Sequence, residues 1–273
     1  MLSLQRWPLL FLAVAVLSCK KDKPENNPSS SLPSTPLLLK DIVVPHLPSP
    51  YYHFEYGSSG KLVYVSFASD LTRYHVIYDG DRIIEMRNDI LVNKDRIQYI
   101  YDDSGNVTNV NYTDSTGVLY TRLDFTYNSG TLAKIERERK LGGDFIIDKT
   151  MTMTYHPDGN LFELTYHYWP VNGMTENIYT DRFEQYDSKI NVDEFDLIHN
   201  EFFDHLVILP GIHLQKNNPQ KETRTGDAQN YVVDYTYTYN SRNQPLNKKG
   251  SLLFLNGSNA GQRFETNSIY SYY

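Results

Sequence analysis

The densest group of chemistry-bearing side chains lies between residues 193 and 205: Asp193, Glu194, Asp196, His199, Glu201, Asp204 and His205. Carboxylates and imidazoles are ligands that divalent metals accept, and residues i and i+4 share one face of a helix. Glu201 and His205 are therefore the candidate metal pair, with Asp196 and His199 close to forming a second. The alternative is the solvated face of an amphipathic helix, whose first turn ordinarily carries acids. No His-Glu-x-x-His spacing separates the two readings. No motif implies a cofactor, and there is no Gly-x-Ser-x-Gly elbow and no Gly-x-x-x-x-Gly-Lys-Ser/Thr phosphate loop. Paired acids such as Asp102-Asp103 sit in a turn context instead. The expectation is a non-enzymatic binding or interaction protein, with a metal-dependent enzyme built on 193–205 as the alternative.

Aromatic side chains offer a second chemistry, since tyrosine alone accounts for 23 residues. Tyr166, Tyr168 and Trp169, and the terminal Tyr270, Tyr272 and Tyr273, could present stacking faces to a glycan or a protein partner. The same rings would serve equally for cross-strand packing.

Cys19 is the one cysteine, which excludes an intramolecular disulfide framework. It follows Arg6, the apolar run Leu9–Leu17 and Ser18, the layout of a secretion signal too short to span a membrane. Val16-Leu17-Ser18-Cys19 resembles a bacterial lipobox. That resemblance implies a signal peptide over 1–18, acylation of Cys19, and an exported chain held on the outer membrane by its lipid rather than by a span. The net charge of −7 becomes −8 once Arg6 is removed with the signal, and this acidity excludes nucleic acid as a partner. Residues 19–50, rich in Pro, Ser and Asn, read as an extended tether, with the apolar island Leu37–Val44 as a possible first edge strand.

The elements that must position any site come from a repeated phrase. From residue 51 onward the chain returns to aromatic-x-Tyr, a polar turn ending in Gly or Asn, then an aliphatic residue. Its tyrosines are Tyr56, Tyr78, Tyr101, Tyr127, Tyr155, Tyr186 and Tyr239. Alternation such as Thr150-Met151-Thr152-Met153-Thr154-Tyr155 marks a strand before each turn, and Gly60, Gly105, Gly159 and Asn243 suit a left-handed turn residue. Seven hairpins predict an all-β, up-and-down antiparallel meander of about fourteen strands over 51–273. That is too many to stay an open twisted sheet, so curling or closure into a barrel is expected. Between Tyr186 and Tyr239 the phrase lapses. Apolar residues at Phe195, Ile198, Phe202 and Leu206, with an Asn191/Glu194 capping box, predict a helix over about 191–207 that caps or plugs the barrel.

The best copy, Tyr99-Ile100-Tyr101-Asp102-Asp103-Ser104-Gly105-Asn106-Val107, resembles the YD repeats of Rhs-type shells and teneurins, which implies strand–turn–strand architecture. Together, lipobox, tether and degenerate YD-like hairpins resemble a Gram-negative lipoprotein family of unknown function with a porin-like fold, which implies a barrel and brings no catalytic residues. Charges in the candidate strands (Arg122, Asp124, Lys134, Glu136, Arg137) argue for a barrel outside the bilayer. A structural accessory of an outer-membrane complex is the remaining alternative.

Overall fold

The computed structural model describes residues 38–90, 94–171, 173–200 and 204–273. Residues with a period-two alternation of apolar and polar side chains form its strands, in chain order β1 (Leu39–Val43), β2 (Tyr52–Tyr56), β3 (Leu62–Phe67), β4 (Thr72–Asp79), β5 (Arg82–Asn88), β6 (Arg96–Tyr101), β7 (Val107–Thr113) and β8 (Leu119–Asn128). There follow β9 (Thr131–Leu141), β10 (Asp144–Tyr155), β11 (Leu161–Tyr168), β12 (Asn177–Tyr186), β13 (Pro219–Gly226), β14 (Tyr231–Tyr239), β15 (Pro245–Phe254) and β16 (Arg263–Tyr272). Every neighbour in sequence is an antiparallel neighbour in space, and β1 pairs with β16 to close a sixteen-stranded barrel.

Six of the phrases fold as tight hairpins, whereas the one at Tyr186 ends β12 and its partner strand β13 begins only at Pro219; the count is two higher than expected because the terminal strands β1 and β16 join the sheet. β1 comes from the apolar island in the Pro/Ser-rich stretch. It pairs Asp41 with both His53 of β2 and Ser271 of β16, so it satisfies two edges that would otherwise be left open.

The turn prediction holds in detail. Gly60, Gly105 and Gly159 have φ of 76°, 89° and 85°, and Asn243 takes the same left-handed place at 61°. At this end the six tight hairpins shift register beside the phrase tyrosine, for example between Ile100 and Tyr101 and between Thr154 and Tyr155. Because of the second shift, Leu161 rather than Phe162 enters the core, and Phe162 packs on His156 instead.

The repeated tyrosine also staples hairpins to the ones before them, except at Tyr239, whose hydroxyl donates to Asp187. Tyr78, Tyr101, Tyr127, Tyr155 and Tyr186 donate their hydroxyls to the carbonyls of Leu62, Ile83, Val107, Leu132 and Leu161 at 2.9, 2.6, 2.9, 2.8 and 2.7 Å. Each acceptor lies at or next to the first residue of the preceding post-turn strand. Tyr237 and Tyr272 continue the ladder onto Pro219 and Pro245, at 2.8 and 2.7 Å. The ring covers apolar surface while the hydroxyl meets a carbonyl that the bulge leaves available, which explains why the repeated residue is tyrosine and not phenylalanine.

The predicted helix over 191–207 is corrected. Among the described residues it is a single 3-10 turn, Glu194–Leu197. The capping-box residues are spent elsewhere. The Asn191 side-chain amide donates to Asn217 O at 3.3 Å, and Glu194 accepts from Gln215 N–H at 2.7 Å and pairs with His213 at 2.8 Å. With its cap groups bound to a returning segment, the chain gains more from lining the barrel wall than from closing helical turns.

Candidate functional site

The connection between β12 and β13 does not pass over the rim. It enters the lumen and returns. Its neck is fastened where Asp187 N–H donates to Asn218 O at 3.0 Å, and Asn218, itself buried, donates to Ile190 O at 3.2 Å. Phe195, Ile198, Leu206, Val207, Ile212 and Leu214 from this plug are buried with inward strand residues such as Val65, Met86, Leu123, Ile135 and Leu164. Wall tyrosines hold its backbone: Tyr166 donates to Leu197 O at 2.7 Å and Tyr99 to Ile208 O at 3.0 Å.

A buried ionic cluster locks the far part of the plug. Arg137 on β9 donates to both oxygens of Asp148 at 2.8 and 2.9 Å and to Asp204 of the plug at 2.9 Å. Lys149 reaches the other Asp204 oxygen at 3.1 Å. A bulge between Ile147 and Lys149 lets the adjacent Asp148 and Lys149 both point inward. Burial alone would raise the Asp204 carboxyl, but Lys149 and Arg137 outweigh it and hold it below the ordinary carboxylate value.

The plug leaves a vestibule at the opposite end from the stapled turns. It is a cleft of about 370 Å³ walled by the β1–β2 connection (Val44, Leu47, Tyr51), by Tyr52, by Tyr235, Lys248, Thr266 and Ser268 of β14 to β16, and by Asp193 and Asp196 of the plug. Asp193 accepts from Lys248 Nζ at 3.1 Å and from Tyr270 at 2.6 Å, and Asp196 accepts from Tyr52 at 2.5 Å. The Lys248 ammonium lies 4.9 Å over the Tyr235 ring, whose hydroxyl donates to Glu222 at 2.7 Å. Tyr231 donates to the other Glu222 oxygen at 2.7 Å, and among the described residues no Lys or Arg forms an ion pair with Glu222. Burial would lower the Lys248 ammonium, but Asp193, Asp196 and Glu222 raise it above its ordinary value.

The candidate residues read from the sequence separate in space. The acids and histidines of 193–205 fan out to different walls: Asp193 to Lys248, Glu194 to His213, Asp204 to Arg137 and Lys149, and His205 to Tyr74 at 2.8 Å. Glu201, the proposed metal partner of His205, lies outside the described residues, as does Cys19. Among the described residues no three His, Cys, Asp or Glu side chains are grouped to hold a metal ion.

Tyr166 and Tyr168 do come together, both stacked on Tyr179 at 4.8 and 6.1 Å on the lumen side. Trp169 does not join them. It packs on His167 at 3.7 Å and donates to Thr150, two residues of the outer face. Of the terminal tyrosines, Tyr270 bonds the plug, Tyr272 is a staple and Tyr273 donates to Phe54 O at 3.1 Å.

Sequence reasoning passed over Lys248, Glu222, Tyr235 and Tyr52. The signal that could have found them is strand parity. Lys248 pairs with Tyr237 and so faces inward, while Lys249 faces out, and Arg137 shares the inward face with Ile135 two residues away.

Fold and filled lumen together define an antiparallel, plugged β-barrel of porin-like architecture. Among solved structures the chain is similar to a porin-like protein from Bacteroides uniformis, at 16% identity and a TM-score of 0.57 over 81% of this chain and 89% of that one. It is likewise similar to a porin-like protein from Bacteroides vulgatus, at 14% identity and a TM-score of 0.58 over 87% and 99%. At such identity the likeness is one of fold. No protein-family profile and no curated protein matches the chain.

Proposed function

We propose that this chain is a lipid-anchored protein of the cell envelope whose barrel stays outside the bilayer and acts as a non-enzymatic binding module, with a glycan or an envelope protein as its partner. The observation that carries this is the outer face. Arg122, Asp124, Lys134, Glu136 and Glu138 alternate with the buried Leu123, Phe125, Ile135 and Arg137, so all five point away from the lumen. Farther round, Glu163 and Arg182 pair across β11 and β12 at 2.7 Å on the same outer face. A basic side chain facing lipid at the midplane costs about 2–4 kcal/mol, so a barrel with these strand centres is more stable in water. The plug adds a second argument, because a lumen closed by buried ion pairs serves recognition better than passage. The lipobox resemblance supplies the anchor at Cys19, and the resemblance to porin-like Gram-negative lipoproteins built of YD-like hairpins supports an exported, outer-membrane location.

Replacing the acylated cysteine tests the reading. Cys19→Ala should move the protein from the membrane to the soluble fraction while its thermal melt stays unchanged. Retention of the variant in carbonate-washed membranes would show that the barrel itself spans.

A second reading, an accessory subunit of an outer-membrane complex, is favoured by a polarity difference between the two ends. The tight turns are Gly, Asn, Asp and Ser, whereas Leu47, Leu71, Val118, Met174 and Leu255 stand exposed on connections at the vestibule end.

A further inference from the structure

A second cleft lies at the stapled end of the barrel, where the turns β6–β7, β8–β9 and β10–β11 meet the returning limb of the plug. Its volume is about 450 Å³, within the range of small-molecule pockets. Tyr127, Leu132, Tyr155 and Ile212 form its apolar walls. Both tyrosine hydroxyls are spent on staples, Tyr127 on Val107 O at 2.9 Å and Tyr155 on Leu132 O at 2.8 Å, so ring carbon is what they leave to a ligand. Asn106 and Thr131 add an amide and a hydroxyl.

No aspartate or glutamate lines this cleft, and its basic side chains are His156, His213 and Lys216. His156 spends its Nε2–H on Phe183 O at 3.0 Å. His213 pairs with Glu194 at 2.8 Å, and that hydrogen bond raises its pKa, so a proton taken up there is balanced by its own partner. Lys216 differs. Its ammonium meets only the Asp158 carbonyl, at 3.5 Å, and among the described residues no carboxylate pairs with it. The Asp158 carboxylate accepts from Asn160 N–H at 2.9 Å instead. The backbone that carries the lysine is fixed on both sides. Leu161 N–H donates to Leu214 O at 2.8 Å, Asn191 N–H to Lys216 O at 3.1 Å, and Asn217 N–H to Asn160 Oδ1 at 3.0 Å. The end of the lysine stem lies over Gly159, where a Cβ would stand 2.6 Å from Nζ, so the missing side chain of this turn glycine is the room that the ammonium occupies.

One ammonium beside aromatic and aliphatic carbon selects a ligand class. A carboxylate answers a single positive charge, whereas a phosphate dianion would leave charge unmet. The CH-rich face of a pyranose suits the tyrosine rings, and its hydroxyls suit Asn106 and Thr131. The chain's own charge of −7 gives no general attraction for anions, so capture of one would be the work of this site. We propose that the cleft between the three turns and the plug binds an acidic sugar, a uronate, with Lys216 receiving the carboxylate and Tyr127 and Tyr155 contacting the ring. The proposal rests on the reading of the barrel as a binding module for a glycan and names its ligand class. A free uronic acid and the end of an acidic polysaccharide share this chemistry.

Isothermal titration of the purified full-length protein with galacturonate, glucuronate, galactose, glucose and acetate tests it. At least one of the two uronates should bind saturably at one site. The neutral sugars, with a hydroxymethyl group in place of the carboxylate, and acetate, with a carboxylate and no ring, should each bind at least about tenfold more weakly than the uronate that binds. An oligomer of that uronate distinguishes the sources, since tighter binding than the monomer marks a polysaccharide end and equal binding marks the free sugar. Lys216→Gln, at an exposed position, should weaken uronate binding about tenfold without changing the thermal melt, whereas Lys216→Arg keeps the charge and should keep the binding. Lys134→Gln makes the same change of charge on the outer wall and should leave binding as it is. The uronate should raise the melting temperature of the wild type and of Lys216→Arg more than that of Lys216→Gln.

Equal binding of a uronate and its neutral sugar, equal binding of acetate, no saturable heat for either uronate up to about 20 mM, a range that reaches well past millimolar affinity, or unchanged affinity in folded Lys216→Gln would each overturn the proposal. Binding of a neutral sugar alone would reject the role of Lys216 while the binding-module reading stood.

Discussion

His199 makes the acid sensitivity of the plug calculable. Its ring meets Tyr52 and Phe67 edge-on at 5.6 and 4.7 Å, and neither ring nitrogen has a hydrogen-bond partner. Burial, followed by the neighbouring His205, pushes its pKa down to about 3 against an opposing pull from Asp204. The unfolded chain takes up this proton near the ordinary value of 6.5, and the folded chain only near 3, so stability from the neutral ring is complete above about 6.5 and is lost as pH falls below it. At 1.36 kcal/mol per pH unit, acidification to pH 5 costs about 2 kcal/mol, and the whole interval about 5 kcal/mol.

The perturbation that isolates this is His199→Phe, which keeps the edge contacts with Tyr52 and Phe67 and removes both the proton site and the unmet nitrogens. The variant should match or exceed the wild type at pH 8, since an unsatisfied buried polar group is removed. Its advantage should grow by about 2 kcal/mol at pH 5, read from urea unfolding curves at the two pH values. Titration of the carboxylates is common to both proteins and largely cancels in the difference. A wild-type-to-variant gap that stays within about 0.5 kcal/mol between pH 8 and pH 5 would refute the reasoning.

Three further outcomes follow from the geometry. Asp204→Asn leaves Lys149 and Arg137 facing a neutral group and should cost about 3 kcal/mol at pH 7. Because the folded Asp204 pKa is depressed, that cost should persist above the ordinary carboxylate value and shrink only as pH falls below it, which denaturant melts across pH will show. Tyr101→Phe and Tyr127→Phe each remove one staple and should cost about 1 kcal/mol apiece. Their double variant should be close to the sum, and strong coupling would mean that the ladder acts as one unit. Gly226→Ala would set a Cβ 2.4 Å from Ile178 O at φ +128°, whereas Gly117→Ala at φ +87° meets nothing within 4 Å. Melting temperatures should therefore fall much further for the first than for the second, by the clash added to the backbone strain that both share.

The hairpins were legible because their causes are local. A left-handed Gly or Asn, a Tyr closing the strand before it, and alternation on either side are written within a dozen residues, and six of the seven phrases fold as tight hairpins. The candidate site was legible only in part, since Tyr166 and Tyr168 could be paired by strand parity whereas Trp169 left their face just past the strand end. Asp148 was beyond reach, because a bulge reverses the parity on which any such count depends.

By itself, then, the sequence determined an all-β antiparallel meander, the place of each tight turn, and the segment where the pattern breaks. Whether that meander closed was decided by β1 meeting β16, a pairing between residues some 230 positions apart that no local signal announces. The fate of residues 187–218 was likewise a tertiary matter. Helical spacing of Phe195, Ile198 and Leu206 is also the spacing of apolar residues that meet a curved wall. Inside the barrel, Arg137, Lys149, Lys248 and the wall tyrosines offered the segment's polar groups better partners than its own helix would have done. The vestibule exists because the plug fills only part of the lumen, a space that the folded barrel alone encloses.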